Sequence, residues 1–167
     1  VVKLTADKAT RKLLGVQVLG AGAVDKITDI GVTAISLGAT VDQLAVMDFA
    51  YAPPFSTAIH PFAHSVNILM NKLDGELESL TPAEFAAGAA EGYEIIDCAI
   101  EPSLPGKKYL NLTKVDGEVP GLGREDKLLL VCAKGKRAYL TQNRLKFYGY
   151  VNTRVLEGGT TFNEIEE

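Results

Sequence analysis

The residues with most to offer chemistry are Cys132, Ala133, Lys134, Gly135, Lys136 and Arg137. A thiol is followed by a guanidinium, and two lysines and a glycine lie in the interval. Cys132 closes an apolar run, Leu128–Val131, that reads as a buried strand bounded upstream by Glu125, Asp126 and Lys127. Beyond Arg137, the residues Leu140, Arg144, Leu145 and Tyr148 carry a helical rhythm. The thiol is therefore expected where a strand turns into a helix. Loop N–H groups converge there, and the positive end of the helix dipole adds to their field. Cations close by favour the thiolate further. The chemistry on offer is nucleophilic sulfur, Cys132, at the mouth of a loop over 133–136, with Lys134, Lys136 and Arg137 adding positive charge close by. The competing reading is a small thiol that only packs.

Such a turn needs a sheet to hold it. Thr81-Pro82-Ala83-Glu84 has the form of a cap, a first-turn proline and an acid three residues on, and opens a helix. Phe85, Ala86, Ala89 and Ala90 would form its buried side. Ile95-Ile96 reads as a strand running into Asp97-Cys98, with further strands at Tyr109–Leu112 and Val151–Leu156. Strands alternating with helices predict a parallel, doubly wound sheet. Ligands sit at the carboxyl ends of the strands in such sheets, which is where Cys132 falls.

The first half has a different pattern. Val2 and Leu4, then Leu14, Val16 and Val18, alternate with other residues about a turn at 6–10, which predicts a β-hairpin. Val24, Ile27, Ile30, Ala34 and Ile35 form a helix face that ends at Gly38. Thr40 and Gln43 form a capping box for a short helix through about Met47. A loop over 48–56 follows, and a third helix starts near Pro61 with Phe62, Val66, Leu69 and Leu73 on one stripe. Gly20-Ala21-Gly22 suggests a dinucleotide turn, but the third glycine is absent and Asp25 stands in its place. His60 and His64, four apart, would share a helix face, yet no Cys, Asp or Glu nearby completes a metal site.

Composition narrows the class. Hydrophobic residues make up 47% and charged residues 23%, as in an ordinary globular protein. A net charge of −4 without a long basic run argues against nucleic acid. No apolar stretch approaches the roughly 20 residues of a membrane span. Two cysteines, Cys98 and Cys132, are too few for a disulfide framework and fit a reduced, cytoplasmic setting. The chain begins without Met and without a signal-peptide layout, as a piece of a longer protein would.

Two resemblances build on these residues. Cys132–Arg137 resembles the Cys-x-x-Gly-x-Arg active loop of the rhodanese-like sulfurtransferases. Tyr93–Asp97 is similar to the strand ending in that family's Asp, and Leu156-Glu157-Gly158-Gly159 to its Leu-x-Gly-Gly turn. The family's Arg two residues after the Asp is here Ala99, and Ser103 stands where a His would precede Pro105-Gly106. Four residues separate Cys132 from Arg137, against five in cysteine phosphatases of related fold. The smaller ring suits a sulfur atom better than a tetrahedral phosphate.

The first half resembles the dimerisation domain of the pyridine nucleotide-disulfide oxidoreductases, nearest the coenzyme A-disulfide reductases and NADH oxidases. The residues that carry this are Leu14–Gly20, Val24–Ile27, Leu44–Asp48 and above all Tyr51-Ala52-Pro53-Pro54-Phe55-Ser56. The resemblance implies an α+β interface domain over 1–75 and an α/β rhodanese-like domain with a mostly parallel sheet over 76–167. It implies a homodimer, with Tyr51 donating a hydrogen bond toward the partner's substrate sulfur. FAD, NAD(P)H and coenzyme A are implied for the full-length protein and none for this chain alone, so reductase activity is not expected of it by itself. Cys132 would carry sulfane sulfur as a persulfide, taken from a sulfane-sulfur donor and passed to a thiol acceptor such as coenzyme A. The alternative is a non-catalytic homodimerisation module with an inert rhodanese fold.

Overall fold

Val2–Ala6 (β1) and Leu13–Val18 (β2) pair antiparallel, Val2 opposite Val18, with one register shift between Thr5 and Ala6. The computed structural model describes residues 1–165 and divides into two units, Val1–Glu76 and Leu77–Glu167. Each unit is described by itself.

In the first unit the hairpin is covered by Val24–Ser36 (α1), where Gly31 lets the helix approach closely. A Cβ at Gly31 would come within 2.5 Å of the Val16 side chain. Val41–Ala45 (α2) starts with the complete Thr40/Gln43 capping box and stops two residues before Met47. Pro61–Leu73 (α3) buries Phe62 and Val66 fully against Leu13, Val41 and Leu44. Arg11 takes a left-handed backbone with φ of 58° and reaches Asp42 at 2.7 Å and Asp74 at 2.6 Å. Those ion pairs tie the hairpin to both neighbouring helices and hold the Asp42 carboxyl below its usual value.

The histidine spacing misleads. His60 sits before α3 as its N-cap, its Nδ1 accepting the Phe62 N–H at 3.2 Å, and its ring stacks on Phe49. It does not share a helix face with His64, because Pro61 starts the helix one residue later. Among the described residues no three metal-ligating side chains come together.

The second unit is a five-stranded parallel sheet. Its strands are Ser79–Leu80 (β3), Glu94–Asp97 (β4), Lys108–Tyr109 (β5), Leu128–Val131 (β6) and Thr153–Leu156 (β7), in the order β3-β7-β6-β4-β5. The middle strand, β6, is apolar throughout because both faces are covered. Leu128 and Leu130 face one core with Ile96, Cys98 and Val155, while Leu129 and Val131 face another with Ile95 and Leu156. Lys136–Phe147 (α5) lies against the first of these through Ala138 and Leu145.

Several expectations shift. Pro82–Ala86 (α4) has the Thr81/Glu84 capping box but runs for little more than a turn. Phe85 and Ala90 are partly buried, whereas Ala86 and Ala89 are exposed. The strand expected over 109–112 stops at Tyr109, since the Asn111 side chain caps a 3-10 turn at Leu112–Lys114. The edge strand β3 and the four-residue helix Gly159–Phe162 (α6) have no signal in the hydrophobic pattern. No helix among the described residues is long and apolar enough to cross a membrane.

Candidate active site

Cys132 follows the last residue of the central strand β6, so its position is set by the part of the sheet with least freedom. The chain then turns through Ala133, Lys134 and Gly135 into α5. Gly135 is the N-cap in a left-handed conformation, φ 97°, which a side chain would strain. That turn aims the Gly135 N–H at Cys132 Sγ, 3.2 Å away. A sulfur anion there meets a backbone donor and the N-terminus of a twelve-residue helix.

The carbonyl side of the same loop is held by α6. Thr160 N–H donates to the Cys132 carbonyl at 3.1 Å, and Thr161 donates to the Ala133 carbonyl through N–H at 3.0 Å and through Oγ1 at 2.6 Å. With these carbonyls engaged on one side, the loop can turn N–H groups to the other. Gly159 has no substitute in this packing. Its φ is 50°, and a Cβ would overlap the Cys132 carbonyl oxygen and crowd Ala133. The Gly158-Gly159 pair, read from sequence only as a turn, is the back wall of the thiol loop.

The opposite wall starts at Asp97, the last residue of β4 and fully buried. Its carboxylate accepts N–H bonds from Ala99 at 2.9 Å, Leu104 at 2.9 Å and Ser103, and a further bond from the Ser103 hydroxyl. One side chain thereby organises the whole 98–104 loop. Ser103 stands in for a histidine by position, and in structure it is the partner of Asp97. Sequence reading singled out both residues without connecting them.

Arg137 does something its spacing did not predict. Its Nε donates to the Cys98 carbonyl at 3.1 Å, fastening α5 to the strand end beside the thiol. Lys134 and Lys136 are exposed and pair with no acid among the described residues. Glu101 is exposed on the 98–104 loop. Cys132 is 4% exposed and Cys98 0%. Both thiols are free. Burial pushes the Cys98 thiol up to about 12, opposed by the Thr141 hydroxyl and reinforced by the charge of Cys132 beside it.

In the first unit, Tyr51 lies on the loop between α2 and α3 and is 57% exposed. The Pro53-Pro54 segment turns tightly, with Phe55 and Ser56 N–H both donating to the Ala52 carbonyl. The Gly20–Gly22 turn does not fit a dinucleotide. It joins an antiparallel strand to α1, and Asp25 occupies the first helical turn where a pyrophosphate would need positive potential.

Residues 1–63 match the family model of the pyridine nucleotide-disulphide oxidoreductase dimerisation domain. The chain is similar to the structure of an NAD-dependent persulfide reductase from A. fulgidus, at 31% identity and a TM-score of 0.79, over 96% of this chain and 29% of that one. It is also similar to reduced Bacillus anthracis CoADR-RHD, at 26% identity and a TM-score of 0.85, over 96% of this chain and 30% of that one. The chain thus spans less than a third of the length of either. No curated protein matches it.

Proposed function

We propose, for a chain that joins a pyridine nucleotide-disulphide oxidoreductase dimerisation domain to a rhodanese-like domain, that Cys132 carries sulfane sulfur as a persulfide and hands it to a thiol. The observation that supports this best is the Gly135 N–H directed at Cys132 Sγ from the start of α5. The Cys132 thiolate attacks the outer sulfur of a persulfide, polysulfide or thiosulfate. The donor's S–S bond breaks, and the remainder leaves as a thiolate, a shorter polysulfide or sulfite. The new terminal sulfur carries the negative charge and lies among the N–H groups of residues 133–137. Lys134, Lys136 and the Arg137 guanidinium draw in the anionic donor.

The acceptor thiol, coenzyme A or the redox site of the reductase, completes the transfer. The similarity to an NAD-dependent persulfide reductase and to CoADR-RHD supports that assignment. In this reading the protein works as a cytoplasmic homodimer through residues 1–75. FAD and NAD(P)H serve in the full-length protein. Tyr51 donates a hydrogen bond to the substrate sulfur of the partner subunit, since its phenol is exposed on the proline loop.

The near-complete burial of Cys132 favours one rival, a dimerisation module with an inert thiol. Mass spectrometry after thiosulfate or polysulfide treatment separates the two. The active reading expects a gain of about 32 Da on Cys132 and none in Cys132→Ser. An unmodified Cys132 in folded protein would leave the inert module standing.

A further inference from the structure

The Cys98 thiol, which donates to the Ile96 carbonyl at 3.6 Å, has no part in sulfur carriage by Cys132, yet its position is closely defined. Asp97 pairs with Val131 across β4 and β6, which places Cys98 beside Cys132 at the carboxyl ends of adjacent parallel strands. The Cys98 N–H donates to the Val131 carbonyl at 2.6 Å, so the pairing continues past the strand end. On the other side Arg137 Nε holds the Cys98 carbonyl. Asp97 secures the chain that follows through Ala99, Ser103 and Leu104. The alternation of the two strands puts both thiols on one face, in the same apolar cluster with Ile96 and Leu130. Neighbouring strands run about 4.8 Å apart. That falls within the Cα separation of about 4.4–6.8 Å that a disulfide accepts.

Building on the persulfide reading of Cys132, we propose that Cys98 is the resolving thiol of the site. Its sulfur attacks the inner sulfur of the Cys132 persulfide, a Cys98–Cys132 bond forms, and the outer sulfur leaves as sulfide. The balance closes without an external oxidant. One S–S bond forms as another breaks, the two cysteine sulfurs supply two electrons to the outer sulfur, and the Cys98 proton leaves with it as hydrosulfide. An external dithiol then reduces the disulfide and resets the site. The unit would thereby act as a persulfide reductase in its own right, besides passing sulfur onward.

The strand register, which sets the two thiols side by side on one face, favours this over packing alone. Cys98 is fully buried, so outside reagents reach it poorly, and the neighbouring sulfur of Cys132 is its natural partner. Burial pushes the Cys98 thiol up to about 12, so its proton must pass to the departing outer sulfur as the Cys98–Cys132 bond forms.

Thiosulfate tests the step cleanly, because its own leaving group is sulfite and any sulfide must come from the resolution. The full chain, reduced and degassed, is given thiosulfate without dithiol, then acidified, alkylated and digested. Wild type should release sulfide and lose about 2 Da through a Cys98–Cys132-linked peptide, while Cys98→Ala retains about 32 Da on Cys132 and releases about tenfold less sulfide. Should Cys98→Ala unfold by circular dichroism, Cys98→Ser takes its place with the same readout. Wild type that keeps the extra mass on Cys132, with Cys98 recovered as an alkylated free thiol, overturns the resolving role and leaves sulfur carriage intact. No mass gain in the variants and no sulfide from wild type, with polysulfide as well as thiosulfate, overturns sulfur carriage and this step together.

Discussion

Arg137 Nε lies 3.1 Å from the carbonyl oxygen of Cys98 and donates to it. The guanidinium is thus part of the wall that positions the thiol as well as a charge for the donor. An exposed cation would act through charge alone, and Lys would replace it well. A fork fixed to a carbonyl is different, because an ammonium lacks the geometry to hold the carbonyl and still face the donor.

Arg137→Lys should therefore slow sulfur loading of Cys132 about as much as Arg137→Ala, by about tenfold or more. Stopped-flow loading with mass detection measures it. Wild-type loading in Arg137→Lys would show that charge alone suffices.

Asp97→Ala removes the acceptor for three backbone N–H groups and one hydroxyl. Each buried donor left without a partner costs about 1–3 kcal/mol, so a loss of about 3 kcal/mol in the second unit is expected even with some rescue by water. Urea unfolding followed by a probe on α5 would report it. Ser103→Ala keeps the backbone bonds and should cost about 1 kcal/mol.

Gly159→Ala meets backbone and not a flexible side chain. Its Cβ would overlap the Cys132 carbonyl and crowd Ala133, at a φ of 50°. The thiol loop must move, and Cys132 loading should fall by about a hundredfold. The first unit, which makes no use of Gly159, should keep its fold. An alanine variant that loads normally would mean that the α6 wall does not position the loop.

The raised pKa of Cys98 makes a pH prediction. The native state holds a proton that the unfolded chain releases above the ordinary value of 9.0. The contribution is therefore complete below about pH 9 and is lost as pH rises toward about 12, at up to about 1.4 kcal/mol per pH unit. Lysines and tyrosines titrate in the same range, so the useful quantity is the difference from Cys98→Ala. Wild type should lose more stability than the variant between pH 9 and 11 in denaturant titrations. Parallel curves would contradict the burial of that thiol.

Thiol labelling checks the same burial directly. Cys98 should react with a disulfide reagent only after unfolding, and Cys132 should react first in the native protein. Equal native rates would place Cys98 nearer the solvent than its 0% exposure allows.

Much of this was legible in the chain itself. The Thr40/Gln43 and Thr81/Glu84 capping boxes are complete within four residues, and both form as written. The apolar run Leu128–Val131 and the helical spacing after Arg137 place Cys132 at a strand-to-helix turn, because periodicity and burial are local properties. What failed locally did so for local reasons. His60 became a cap because a proline followed it, and the strand over 109–112 yielded to the Asn111 cap.

The contacts that make the thiol loop a site came only with the tertiary structure. Gly159 against Cys132, Asp97 with Ser103, Arg137 on Cys98, and the two cysteines side by side all depend on register between strands far apart in sequence. Parallel pairing carries no hairpin turn to announce that register. It is settled by how both faces of β6 pack at once, which is a property of the whole sheet. From sequence alone, Cys132 is a thiol at a helix start. The fold adds the walls and the second sulfur.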